Sequence, residues 1–315
     1  MTRVTRVTRD GNRGAPGSRA GSASWTELRY RVLLPLAARS FACGAAYARV
    51  VASIEYGRDA RRRETAVNRI SAWLGKPAAD AAWVYHAALS SEAREEADAA
   101  YFMRRPEALA RFLGAGGDAP METGPVIYAG LHFGSPILAY LHLCRVRGLN
   151  LHAVGRRLDA SNPMPAAKRV FGTAKVAWLE SLAGRPLLDS AGDGLLQARA
   201  ELVEGRSLYA VVDVPGDVVD RAADVEIGGE RVRFAAGVTT LARLTRVPLR
   251  PFVGLRENGR LRVEYGPLVE PGEADATCGQ LVDVMRGFVE RWPSEWWLWP
   301  FVPASPDRGR DGGRS

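Results

Sequence analysis

From Pro125 onward the chain changes texture, and that change limits the folds open to it more than any other feature. Short runs rich in β-branched and aromatic residues ("PVIYAG", "LNLHAV", "AKVAWL", "SLYAVVDV") alternate with stretches 135–147, 163–171 and 193–204 that space their apolar residues as helices do. Parallel strands need a long crossover between them, usually a helix. Repeated alternation therefore predicts βαβ units and an α/β domain over 121–302, a mainly parallel mixed sheet flanked by helices.

The rest of this domain reads in the same way. "DVEIGGERVRF" is two alternating strands joined at Gly228-Gly229, a hairpin pattern. A helix at 237–246, strands "PLRPFVG" and "RLRVEYG", and an amphipathic helix over about 275–291 follow, and the chain then runs into "RWPSEWWLWPFVP". Ahead of the domain, residues 23–120 read as a helical N-terminal region with breaks near Pro77 and Pro106. No internal repeat is present.

The two ends have little to bury. Residues 1–22 and 303–315 are rich in Arg, Gly, Ser and Pro and are expected to be disordered tails. Residues 1–22 carry five Arg against one Asp, part of a net charge of +8. A basic balance draws a protein to anionic membranes, nucleic acid or acidic carrier proteins without selecting among them. The odd count of three cysteines, far apart, fits a reducing compartment, and the first residues lack the pattern of a secretory signal. Residues 33–54, "LLPLAARSFACGAAYARVVASI", have the length of a membrane span, but Arg39 and Arg49 interrupt them. Each arginine near a span's centre costs ~3 kcal/mol. The expectation is a membrane-surface helix over 25–54, lying on the bilayer without crossing it.

Several residues can carry chemistry. His132 in "GLHFGSPILAYLHL" follows a strand, and Ser135 and Pro136 look like the N-cap and first residue of the next helix. A helix N-terminus offers backbone N–H groups to an anion or a developing oxyanion. A histidine at a strand end serves equally as a core residue. Arg156 and Arg157 in "GRRLDASNP" lie at the carboxyl edge of the expected sheet, with Lys168 and Arg169 one helix further on, where they suit phosphate or carboxylate binding or form a solvated surface. Asp213 closes "SLYAVVDV" and can orient a base, bind a hydroxyl or cap a loop; Asp159 is a weaker candidate for the same work. The four terminal tryptophans fit core packing and also a membrane-interface belt. No histidine has metal-ligand spacing, and no nucleophile elbow or phosphate-binding loop occurs.

In order along the chain, these segments resemble the lipid A biosynthesis acyltransferases, the lauroyl and myristoyl transferases related to bacterial lysophospholipid acyltransferases. "GLHFGSPILA" is similar to the family's "tHfGnwElA" block, and "VGRRLDASNP" to its arginine-bearing block. "LLQARAELVEGRSLYAVVDVPG", "FAAGVTTLARLTRVPLRPFV" and "WPSEWWLW" resemble three later blocks. The resemblance implies a peripheral enzyme on the cytoplasmic face of the inner membrane, moving a fatty acyl group from an acyl carrier protein or coenzyme A thioester to a hydroxyl of a lipid or glycolipid. It implies His132 as general base, Arg156 and Asp213 in the site, and no metal or cofactor; Arg157, Arg169 and Ser135 are expected toward substrate from their own positions, and no nucleic acid partner is expected.

The chain departs from the pattern at two places. Ile137 stands where a carboxylate five residues after the histidine orients the imidazole, and Pro300-Phe301 replace an arginine pair. In serine hydrolases the loss of the orienting acid costs ~10^4 in rate. Activity here therefore needs a carboxylate from another strand end, with Asp213 the first choice. The rival readings are a catalytically silent relative that binds acylated carrier protein or lipid, and a membrane-surface adaptor.

Overall fold

A computed structural model describes residues 24–114, 122–158, 164–190, 193–213, 222–227 and 230–301. The expected tails, Asp159 and the Gly228-Gly229 turn lie outside the described residues. The fold is α/β with a helical N-terminal region. A helical run over 24–37 (α1), with a π-helical stretch at Arg29–Leu33, leads to α2 (Phe41–Arg58), α3 (Ala60–Leu74), α4 (Ala78–Arg104) and α5 (Pro106–Leu113). The breaks have local causes. Ser40 caps α2 through its Oγ, which accepts from the Cys43 N–H at 3.1 Å, and α3 ends on Gly75 at φ +62°, followed closely by Pro77.

The α/β part follows as β1 (Ile127–Gly130), α6 (Pro136–Arg145), β2 (Leu151–Gly155), α7 (Ala166–Ala183), β3 (Leu188–Asp189), α8 (Gly194–Val203) and β4 (Ser207–Val211). Beyond it come β5 (Ala222–Ile227), β6 (Glu230–Ala235), α9 (Gly237–Thr245), β7 (Leu249–Glu257), β8 (Arg260–Tyr265) and α10 (Ala274–Arg291). Six strands form one sheet in the order β3-β2-β4-β1-β7-β8, parallel except for the antiparallel β7–β8 edge. β5 and β6 pair antiparallel as a separate two-stranded sheet.

One strand expectation fails. "AKVAWL" lies inside α7, and the third strand is the short β3 that follows it. Trp178, Leu179 and Leu182 are partly buried in the core, and their 178, 179, 182 spacing is a helix's. The first strong breaker is Gly184 at φ +68°, so nothing stops the helix earlier.

Alternation along the strands sorts the core onto two faces. Ile127, Ala129 and Leu131 join residues of α3, the first half of α4, α10, Trp296 and Trp299; Tyr128, Tyr209 and Phe252 join α5 and α6. The helical region therefore shares its core with the sheet. α1 is pinned to α4 by a buried knot: Arg29 reaches Glu96 at 2.7 Å and Glu55 at 3.1 Å, and the Tyr30 hydroxyl donates to Glu96 at 2.5 Å. Tyr47, Ala48, Val51 and Ala52 of α2 are buried as well. The single surface helix expected over 25–54 is thus two helices, each with a face packed on protein.

Candidate functional site

β1 and β4 are parallel neighbours with Gly130 opposite Val211, an offset of 81 residues (211 − 130). The Val212 N–H continues the ladder to the Gly130 carbonyl at 2.9 Å. Carried two residues past the strands, the same offset sets His132 beside Asp213. There Nδ1 of His132 lies 2.8 Å from Oδ1 of Asp213, and the His132 backbone N–H donates to both carboxylate oxygens at 3.0 and 2.9 Å. A carboxylate only accepts, so Nδ1 carries the proton and Nε2 presents its lone pair.

Asp213 is fully buried at 0 % exposure, and a buried carboxylate needs donors. Its third donor is the Trp296 indole N–H, 2.9 Å from Oδ2. The His132 side chain is 37 % exposed, and the imidazole is gripped on its Nδ1 side. Burial is the largest single influence on the imidazole and lowers its pKa. The Asp213 charge and hydrogen bond, with a smaller contribution from Glu92, outweigh burial and an opposing Lys175, and the pKa lies above that of an ordinary histidine.

The segment after His132 is clamped on both sides. Phe133 and Gly134 form β-bridges to Trp296 and Gly254, the Gly134 N–H donates to the Glu295 carbonyl at 2.9 Å, and the Ser135 N–H to the Gly254 carbonyl at 2.8 Å. Gly134 has φ +57°, and a Cβ there would sit 2.2 Å from the Gly254 oxygen, so only glycine fits. This limits the N–H groups free at the mouth of α6 to its first turn, where Ile137 and Leu138 have no backbone or capping partner among the described residues. The amides of residues 132–135 are all committed and Pro136 has none. Ser135 holds the N-cap position, but its side chain makes no capping bond and is buried.

The terminal tryptophans close the site from the far side. Trp296 and Trp299 are buried at 1 % and 0 %, each edge-on to Trp73 of α3 at 5.4 Å between ring centroids. These two are core residues, which removes them from a membrane belt. The half-buried Trp297 places its ring 6.1 Å from the His132 ring and donates its indole N–H to Ser91 Oγ at 3.3 Å, while Ser91 donates to Glu295 at 2.6 Å. Burial holds the Glu295 carboxyl above the ordinary range against the lowering effects of Ser91 and Arg256.

The arginines stand further off. β2 is two strands from β1, about 10 Å at the usual strand spacing. Arg156 at its end is exposed and no described residue engages it. Arg157 is bound by Glu180 at 3.1 Å and the Leu187 carbonyl at 3.1 Å, and Arg169 by the Met164 carbonyl at 3.4 Å. The remaining histidines are structural in their contacts: His142 Nδ1 meets the Leu113 carbonyl, His152 Nδ1 the Pro186 carbonyl, and His86 the Ser53 hydroxyl. Among the described residues no cluster of three or more His, Cys, Asp or Glu could hold a metal ion. Sequence reasoning did not find Trp296 as a partner of Asp213, nor Ser91 of α4, which accepts from the Trp297 indole beside the His132 ring. The acidic run "SEAREEAD" inside an alanine-rich helix was the available signal for α4.

The fold and the site together define a class: an α/β protein with a histidine–aspartate pair at the carboxyl edge of its parallel sheet. No protein-family model matches the chain, and no curated protein matches it.

Proposed function

We propose that the chain is an acyltransferase that moves a fatty acyl group from an acyl carrier protein or coenzyme A thioester to a hydroxyl of a lipid or glycolipid, with His132 as general base. The observation that carries this reading is the His132–Asp213 hydrogen bond, which fixes the tautomer and leaves Nε2 exposed on an otherwise braced ring. The ordered likeness to the lipid A acyltransferase blocks supports the choice of donor and acceptor.

In the proposed reaction the acceptor oxygen attacks the thioester carbonyl carbon as Nε2 takes the hydroxyl proton. The imidazolium that forms is stabilised by Asp213. The tetrahedral intermediate then breaks its C–S bond, and Nε2 returns the proton to the departing thiolate, releasing ester and thiol. Asp213 supplies from β4 the support that Ile137 cannot give. The exposed Arg156 at the rim suits the phosphates of a coenzyme A or carrier-protein donor. Thioester consumption by the purified chain, with acyl carrier protein or acyl coenzyme A as donor and a bacterial lipid extract as acceptor, tests the reading. Ester product above the protein-free rate is expected; its absence would overturn acyl transfer in favour of a silent binding relative.

No helix among the described residues is long and apolar enough to cross a membrane. We place the chain peripherally on the cytoplasmic face of the inner membrane. Leu28, Val32 and Leu36 are 46 %, 47 % and 43 % exposed at four-residue intervals along α1, beside the exposed Arg31, and Val50 and Arg49 are exposed on α2. An apolar stripe with flanking arginines suits an anionic bilayer surface. Carbonate extraction of membranes from expressing cells is expected to release the protein, and retention in the pellet would refute a peripheral attachment.

A further inference from the structure

Trp297 is a tryptophan whose tethers exceed what packing asks for. Trp296 and Trp299 belong to the core, whereas Trp297 is half-buried and is nonetheless held at three points. Its backbone N–H donates to the His132 carbonyl at 3.0 Å, its ring lies 6.1 Å from the imidazole at an interplanar angle of 56°, and its indole N–H reaches Ser91 Oγ at 3.3 Å.

Ser91 stands apart in its own helix. A serine inside a helix ordinarily faces solvent or bonds back to a carbonyl one turn earlier. Ser91, near the middle of α4, instead gives its one proton to Glu295 Oε2 at 2.6 Å, which leaves its oxygen to accept from the indole. Glu295 lies two residues before Trp297, so the three side chains close a loop between α4 and the C-terminal segment. That loop abuts the clamp behind the base. Glu295 Oε2 is 3.6 Å from the place a Cβ on Gly134 would take, and the Glu295 carbonyl accepts from the Gly134 N–H at 2.9 Å.

The base has use for such a support. Among the described residues the imidazole makes one hydrogen bond, from Nδ1 to Asp213. A single bond fixes Nδ1 at a point and leaves the ring free to turn about it. An aromatic ring held rigidly alongside restricts that turn, and a half-buried indole stays in one orientation when its polar edge is tied down.

We propose that Trp297 is a positioning residue for His132, with Ser91 acting through the indole N–H and Glu295 acting through Ser91. None of the three makes or breaks a bond in the reaction. The kinetic part of the test rests on the acyltransfer reading above, and the magnetic resonance part does not.

The kinetic part measures kcat and KM for dodecanoyl coenzyme A with a bacterial lipid extract as acceptor. Trp297→Leu is expected to lower kcat about tenfold or more with little change in KM, because misplacing a reacting group by an ångström costs up to ~100-fold. Unchanged kcat, or a loss confined to KM, overturns the inference. Ser91→Ala keeps a strong helix former in α4 and should lower kcat severalfold. It should add nothing in a Trp297→Phe background, where no indole N–H remains to be held. A further loss there means that Ser91 acts by another route and overturns the inference. Should Trp297→Leu not fold, Trp297→Phe carries this part, with a severalfold loss in kcat expected and an unchanged kcat against the inference. The resonance part follows the Nδ1 proton of His132, identified among the four histidines as the imidazole signal missing from His132→Ala. That proton should exchange with water faster in Ser91→Ala than in the wild type, and equal rates overturn the inference. If the wild type consumes no thioester, the acyltransfer reading fails and the exchange rates alone decide the role of Trp297.

Discussion

Asp213→Asn is expected to lower thioester turnover by at least ~100-fold, the scale of general-base support, while leaving the fold intact. The change removes the charge and keeps the shape. Asparagine can still present its carbonyl oxygen to two of the three donors that now converge on Asp213, the His132 N–H and either Nδ1 or the Trp296 indole, but its NH2 group cannot accept the third. If the amide nitrogen faces Nδ1, the imidazole is driven into the tautomer that protonates Nε2, the atom that must receive the acceptor's proton. His132→Ala, which removes the base itself, sets the lower limit, and the two losses should not multiply in the double variant because the residues act as one unit.

The pH profile adds a readout that a structural defect would not produce. The pKa of His132 lies above that of an ordinary histidine, with burial as the largest influence but overridden by Asp213. A general base works deprotonated, so the acid limb of log kcat/KM should lie above the free-histidine value of about 6.5. Asp213→Asn should move it down. The stability sign is the reverse of the activity sign. A histidine whose folded pKa is raised stabilises the fold fully below its unfolded pKa, and that contribution is lost as pH rises through the folded value. The ion pair therefore contributes to stability on the acid side of the window in which the base is active. Equal turnover in Asp213→Asn and wild type would remove Asp213 from the mechanism.

What could be read in advance follows from locality. Strands β1, β2, β4, β7 and β8 were marked by alternation and by their breakers, and His132 and Asp213 by their positions at strand ends. Their meeting depended on β1 and β4 being sheet neighbours in a register whose offset is carried on unchanged past the strands. Strand order is set by packing of the whole chain, which is why Asp213 could be ranked first among candidates but not placed. "AKVAWL" was misread because a six-residue window cannot separate a strand from a stretch of longer helix; Gly184, the residue that decides, lies beyond it. The inward turn of α4 at Ser91 and Glu95 was invisible for a different reason. Charged residues in a helix ordinarily mark its solvated face, and here that face is turned inward by the packing of α7 and the C-terminal segment.

Trp296 ties the chemistry to the fold, and Trp296→Ala is expected to cost ~3–5 kcal/mol of stability, the range for deleting a fully buried aromatic side chain. The indole packs edge-on against Trp73 and Trp299, and its backbone bridges Phe133, so the cavity opens beneath the segment that carries His132. Trp296→Phe separates packing from hydrogen bonding. Phenylalanine fills most of the space but donates nothing to Oδ2 of Asp213, which retains only the His132 N–H. Its stability cost should be near the lower end of ~1–3 kcal/mol for an under-satisfied buried acceptor. Turnover should fall by less than in Asp213→Asn, because the Nδ1 bond to Oδ1 survives. Urea unfolding of the three proteins, with turnover measured on the folded fraction, checks the order. A loss below 1 kcal/mol in Trp296→Ala would mean that the terminal tryptophans do not close this core in solution, and would return them to the membrane surface as the segment's place of burial.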